Sequence, residues 1–134
     1  MAEERSFVAR TGGAVSAVAA ADVWAVLDAP EVRLLPGARG WCGGWILYRD
    51  QVVPVLGGAE FGALGEARVV LVLQRREVLL GLPCQSVDLR ACGPAAEGAG
   101  LEGPLPSAGI VEFGAGERAR RLDAERLYSL LGIQ

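Results

Sequence analysis

The stretch that decides the fold is Val32 to Leu56, VRLLPGARGWCGGWILYRDQVVPVL. Two runs rich in β-branched, aromatic and long apolar residues, Trp45 to Tyr48 and Gln51 to Leu56, flank the dipeptide Arg49-Asp50. That spacing predicts two antiparallel strands joined by a two-residue turn. Pro54 removes one backbone donor, which predicts an edge strand or a bulge there. Upstream, Val32 to Leu35 reads as a short extended piece reaching Pro36. Gly37, Gly40, Gly43 and Gly44 then punctuate a loop that carries Trp41 and Cys42.

The same texture continues outward. Ser6 to Arg10 and Ala14 to Val18 read as a hairpin about the turn Thr11-Gly12-Gly13. In Ala19 to Leu27, the spacing of Val23, Val26 and Leu27 predicts a short helix capped by Asp22 and ended by Pro30. Gly57 to Gly65 reads as a loop. Ala67 to Leu73 is almost continuously apolar, which predicts a strand covered on both faces. The turn Gln74 to Glu77 returns it to Val78 to Leu82, and Val87 to Ala91 follows as another strand. Gly93 to Gly109, GPAAEGAGLEGPLPSAG, lacks periodicity and reads as a flexible loop. Ile110 to Phe113 and Arg118 to Leu122 complete the strands. Asp123 caps a closing helix with Leu127, Leu130 and Leu131 on one face, and Gly132 stops it. Many short strands with glycine turns and no strand–helix alternation favour small β-barrels.

Composition narrows the function. The chain has 134 residues, 51% apolar and 22% charged, enough to fold around a core. A net charge of −3 argues against nucleic-acid binding. Histidine and lysine are both absent, and all 13 basic residues are arginine. Histidine triads, histidine zinc ligands, a Walker lysine and Schiff-base chemistry are thereby excluded. No GxSxG occurs, and the 16 carboxylates show no pairing in their spacing. The arginines of Gly114 to Arg121 alternate with Ala119 as on the outer face of an ordinary strand. Cys42, Cys84 and Cys92 form no CxxC, so buried free thiols are expected. Neither catalytic residues, nor a cofactor, nor a metal is called for. The acidic start Met1-Ala2-Glu3-Glu4 is unlike a signal peptide, and Ala14 to Leu27 is too short to span a bilayer of about 20 residues. A cytoplasmic protein without membrane insertion is expected, one that works by binding.

The segment Val32 to Leu56 resembles the CheW-like domain, the bacterial chemotaxis coupling module. Pro36, Gly44, Arg49 and Val53-Pro54 match that family's spacing without gaps. Val23 to Val26 aligns with its V-x-E-I stretch, and ARVVLVLQRREVLLGLP (Ala67 to Pro83) with a strand–turn–strand. The closing RLDAERLYSLL resembles its LDxxxLL helix. The resemblance spans residues 6–131 as a single domain. It implies two intertwined five-stranded SH3-like barrels, with lobes near 14–62 and 66–122, strands exchanged, and a short C-terminal helix. It implies no enzymatic activity. It implies a module that couples the cytoplasmic tips of chemoreceptors to the regulatory domain of a CheA-type histidine kinase, recruited to membrane receptor arrays. Arg49 matches the family's turn arginine and Val23 its groove valine. Tyr48, Trp45 and Val53, beside that arginine, join them as candidate protein-binding residues. Exposed barrel edges are compatible with weak self-association. This chain departs from the pattern at Tyr48 and Asp50 in the turn, at Gly57 and Gly58, and at Ala25 and Cys84 where the family carries acids. An interaction module in another assembly, without receptor coupling, is the alternative those changes leave open.

Overall fold

The computed structural model describes residues 4–11, 13–34, 41–57, 67–98, 101, 103 and 105–132. Pro36, Gly37, Gly40 and most of the Gly57 to Gly65 loop lie outside them. In chain order the strands are β1 (Glu4–Thr11), β2 (Ala14–Ala19), β3 (Val23–Asp28), β4 (Arg33–Leu34), β5 (Cys42–Tyr48), β6 (Gln51–Leu56), β7 (Val69–Arg75), β8 (Val78–Cys84), β9 (Ser86–Cys92), β10 (Ser107–Phe113) and β11 (Glu117–Leu122). Helix α1 (Ala124–Leu130) closes the chain. Two mixed sheets form, ordered β10-β11-β2-β1-β9 and β3-β7-β8-β6-β5-β4. The first combines the two opening strands with the last three, and the second takes the middle six. The lobe limits 14–62 and 66–122 cut across this sorting.

Tight hairpins build both sheets. Arg49 and Asp50 have φ of 49° and 63°, and Arg76 and Glu77 have 50° and 68°. Two successive left-handed residues twist a two-residue turn in the sense of the flanking strands, so Tyr48 pairs Gln51 and Arg75 pairs Val78. Asparagine and glycine usually take such positions. Arginine, aspartate and glutamate here accept a backbone cost of about 1 kcal/mol each.

Three expectations are corrected. Ala19 to Leu27 is not a helix: one 3-10 turn at Ala20–Asp22 leads directly into β3, which pairs antiparallel with β7. Val23, Trp24, Val26 and Leu27 are β-formers, and that long-range ladder overrides their helical spacing. Pro54 does not mark an edge, since β6 lies between β8 and β5, but the alternative of a bulge holds: β5 shifts register between Cys42 and Gly44, beside the Trp45–Pro54 pair. Pro54 faces Trp45, and the parallel contact of β6 with β8 is the single pair Val55–Gly81, so little ladder is lost there. The 93–109 stretch is anchored where it is described. Ala96 bridges Ile110, Leu105 is buried in the core, and Ser107 already opens β10.

Each sheet curls around its own apolar cluster, and a third cluster lies between them. Val8, Ala17, Cys92, Val111, Phe113 and Ala119 fill the first curl. Leu27, Ile46, Val53, Val55, Val70, Val72 and Leu79 fill the second. Strand alternation sends Leu71 and Leu73 of β7 to the opposite face, where Leu80, Leu82, Val18, Leu56, Leu122 and Leu127 meet them. Neither curl closes into a barrel. The ends of the first approach through Gly93 N–H donating to the Glu112 carbonyl at 3.0 Å. Among the described residues the end strands β3 and β4 of the second do not pair with each other.

The helix reads as expected at its ends. The Asp123 carboxylate accepts from the Arg126 N–H at 3.0 Å, and Gly132 ends it with φ of 76°. Its buried face is Ala124, Leu127 and Tyr128, whereas Leu130 is exposed. Tyr128 O–H donates to the Val78 carbonyl at 3.0 Å, tying α1 to β8.

Candidate protein-binding surface

The β5–β6 hairpin projects at one end of the second sheet. Its left-handed turn holds Arg49 exposed at the tip, with the guanidinium 5.2 Å above the Tyr48 ring. Tyr48 is itself fixed. It packs on the second cluster and meets the Trp24 ring edge-on, centroids 5.4 Å apart at 89°. An arginine stacked on an immobilised ring loses less freedom when it binds, which favours a bidentate contact to a carboxylate.

Alternation divides the hairpin into two faces. Ile46, Tyr48, Val53 and Val55 point into the curl. Trp45, Leu47, Val52 and Pro54 point outward as the cross-strand pairs Trp45–Pro54 and Leu47–Val52. Arg33 of β4 covers the Trp45 ring at 5.7 Å. Leu47 and Val52 are 60% and 62% exposed, an apolar pair on an outer sheet face.

The five expected contact residues therefore separate. Arg49, Tyr48 and Trp45 share the hairpin, with only Arg49 fully on the surface. Val53 is wholly buried, so it supports the hairpin from beneath and does not touch a partner. It points inward because it opposes Ile46, whose side chain fills the same curl. Val23 lies at the opposite edge of the sheet, half-buried against the cluster between the sheets. Leu47 and Val52 were not anticipated. Their only signal is the period-two pattern, which is blurred because both faces of β5 carry apolar residues.

The thiols suit structural roles. Burial pushes the Cys84 thiol up to about 11, and burial also raises Cys92. Cys84 stays neutral in the fold after an unfolded-state thiol would have ionised, so stability falls as pH rises. That fall runs from its ordinary value of 9.0 up to about 11. Urea midpoints compared at pH 8 and pH 10.5 are expected to show that fall, and Cys84→Ala is expected to reduce it, leaving the part contributed by Cys92 and Tyr128, which burial also raises. Among the described residues no group of histidine, cysteine or carboxylates is placed to hold a metal ion. No helix there is long and apolar enough to cross a membrane.

The domain thus joins two curled sheets, one of them carrying an arginine-tipped hairpin and an exposed apolar pair. Residues 5–131 match the CheW-like domain, and the chain belongs to that family of non-enzymatic chemotaxis scaffolds. Its fold is similar to the crystal structure of the scaffolding protein TtCheW from Thermoanaerobacter tengcongensis. That similarity has a TM-score of 0.68 at 13% identity over 91% of this chain and 90% of that one. Comparison with curated proteins gave no match.

Proposed function

We propose that this chain is an adaptor that couples chemoreceptors to a CheA-type histidine kinase, in chemotaxis or surface motility, as a cytoplasmic component of receptor arrays. One observation carries the reading. Arg49 stands at the tip of a rigid hairpin, stacked on Tyr48, beside the exposed pair Leu47 and Val52. An arginine next to an apolar patch is the composition of a protein-interface centre. Trp45 and its covering Arg33 extend the same surface. Val23 lies on β3, half-buried, next to Trp24, whose ring meets Tyr48 of the hairpin.

A specific observation keeps the alternative module in view. At the family's acidic position after the Gly81 strand, this chain carries Cys84, which is buried in the core and offers no charge to a partner. Calorimetric titration against the regulatory domain of a CheA-type kinase from the same cell tests the coupling role. Saturable binding in the low-micromolar range is expected, typical of modest, reversible interfaces. No heat at high concentration would discard the coupling role and leave a scaffold domain of another assembly.

A further inference from the structure

We propose that the open seam of the second sheet takes an extended segment of another protein as an added strand, antiparallel to β3, with an arginine or lysine opposite Asp28 and apolar residues opposite Leu27 and Val26. This goes beyond the coupling role and does not depend on it.

The seam follows from the ladder. Among the described residues β3 pairs with β7 alone, and β4 covers β5 at Gly44 and Trp45 alone, so the sheet ends there without meeting itself. At one end Trp24 and Tyr48 bridge the gap with their rings, not with backbone. Beside them runs a groove of about 580 Å³ walled by Val26 and Asp28 of β3 and by Leu47 of β5, with Leu27 and Ile46 at its floor.

The backbone of β3 is presented to that groove. Ala29 N–H donates to the Arg68 carbonyl at 2.7 Å, and Asp28 stands opposite Val69. Arg68 returns no bond, since its own N–H donates to the Cys84 carbonyl at 3.2 Å, but the Ala29 bond sets the phase of the ladder, and alternation makes Leu27–Val70 the next hydrogen-bonded pair. The N–H and C=O of Val26 and Asp28 consequently point away from β7. Because β3 ends its sheet, these four groups meet no strand among the described residues. Two residues of an added strand satisfy all four.

Side chains choose the occupant. A residue opposite Leu27 points inward, toward Leu27 and Ile46 at the floor of the groove. A residue opposite Val26, which is 43% exposed, pairs with it on the outer face. Among the described residues Asp28 and Glu31 line the groove with Arg33 as the one cation, and Glu31 already holds Arg33 at 3.4 Å. Among the same residues Asp28 has no ion-pair partner, which suits it to attract a basic residue. The usable edge is short: a register shift interrupts β3 between Val23 and Ala25, and Ala29, with φ of 46°, turns the chain before Pro30. A short edge bearing a charge resists indiscriminate sheet stacking and accepts a matched segment.

The probe is a fluorescein-labelled octapeptide Ser-Thr-Arg-Val-Val-Thr-Ser-Gly, titrated into the full chain and read by anisotropy. Saturable binding is expected. N-methylation of the peptide's arginine and second valine, which removes the donors facing β3, is expected to weaken it at least about tenfold. Asp28→Arg is expected to weaken it similarly and to favour a peptide with glutamate in place of arginine. Asp28 is exposed, so this variant retains the fold. Absence of saturation at millimolar peptide overturns the proposal, as does equal affinity for the N-methylated peptide. A concentration-dependent dimer broken by Asp28→Arg, without peptide binding, also overturns it and assigns the edge to a second copy. None of these readouts uses the kinase, so their failure is distinct from failure of the coupling role.

Discussion

Leu71→Ala is expected to lower the unfolding free energy by about 2–5 kcal/mol, the largest stability effect of any single truncation proposed for this chain. Leu71 is fully buried, on the face of β7 that looks away from the second curl and into the cluster between the sheets. Truncation there removes packing from both sheets at once, and the surrounding strands are held by ladders on both sides and cannot collapse into the void. Domains of this size have a total stability of about 5–15 kcal/mol, so the loss is a large fraction of it. In thermal unfolding it corresponds to a fall in Tm of about 10–20 °C. Leu130→Ala is the matched control. Leu130 is 66% exposed, and its removal is expected to change stability by no more than about 0.5 kcal/mol. Urea unfolding of both variants with unchanged slopes is the measurement. A loss below about 1 kcal/mol for Leu71→Ala would mean that the sheets do not share a core and unfold as separate units.

The residues differ in how much of this was legible. The hairpin at Arg49-Asp50 was legible because two polar residues between apolar runs leave the chain one economical way to turn. The buried strand in Ala67 to Leu73 was legible because Val69 to Leu73 is a short, β-branched-rich apolar run bounded by a glycine-rich loop and the turn at Gln74 to Glu77, too short for a buried helix. The cap at Asp123 and the stop at Gly132 are local devices, read from single residues. What the sequence hid is non-local. Val23 to Leu27 has both helical spacing and β-forming side chains, and only pairing with β7, more than forty residues away, decides between them. The sorting of strands between the sheets depends on the parallel contacts β6–β8 and β11–β2, which leave no mark in either segment. The candidate site shows the same division. Arg49 was legible as a turn residue. Val53 was misplaced and Leu47 and Val52 were overlooked for one shared reason: Trp45 to Tyr48 is apolar at every position, so its pattern does not say which face is inside.

Arg49→Gly is expected to weaken binding to the kinase regulatory domain about tenfold or more while leaving the fold at least as stable. The two effects come from different atoms. Arg49 has φ of 49°, a conformation that costs an arginine about 1 kcal/mol and a glycine almost nothing. Against that gain stands the stacking of the guanidinium on Tyr48, about 0.5–1 kcal/mol at an exposed site. The terms nearly cancel, so melting temperature is expected to hold or rise slightly. Binding has no such compensation. A hydrogen bond to a charged partner contributes about 1.5–3 kcal/mol, and glycine cannot replace it. Arg49→Lys separates charge from geometry: it keeps the cation but loses the planar fork and the stack, and an intermediate affinity is expected. Raising the salt concentration is expected to weaken wild-type binding and to affect the glycine variant less, because the exposed charge it lacks is the screened one. An unchanged Kd for Arg49→Gly would remove Arg49 from the interface. A drop in melting temperature of several degrees would instead make the stack on Tyr48 a structural clasp for the hairpin, and would shift the contact to the outer face of Leu47 and Val52.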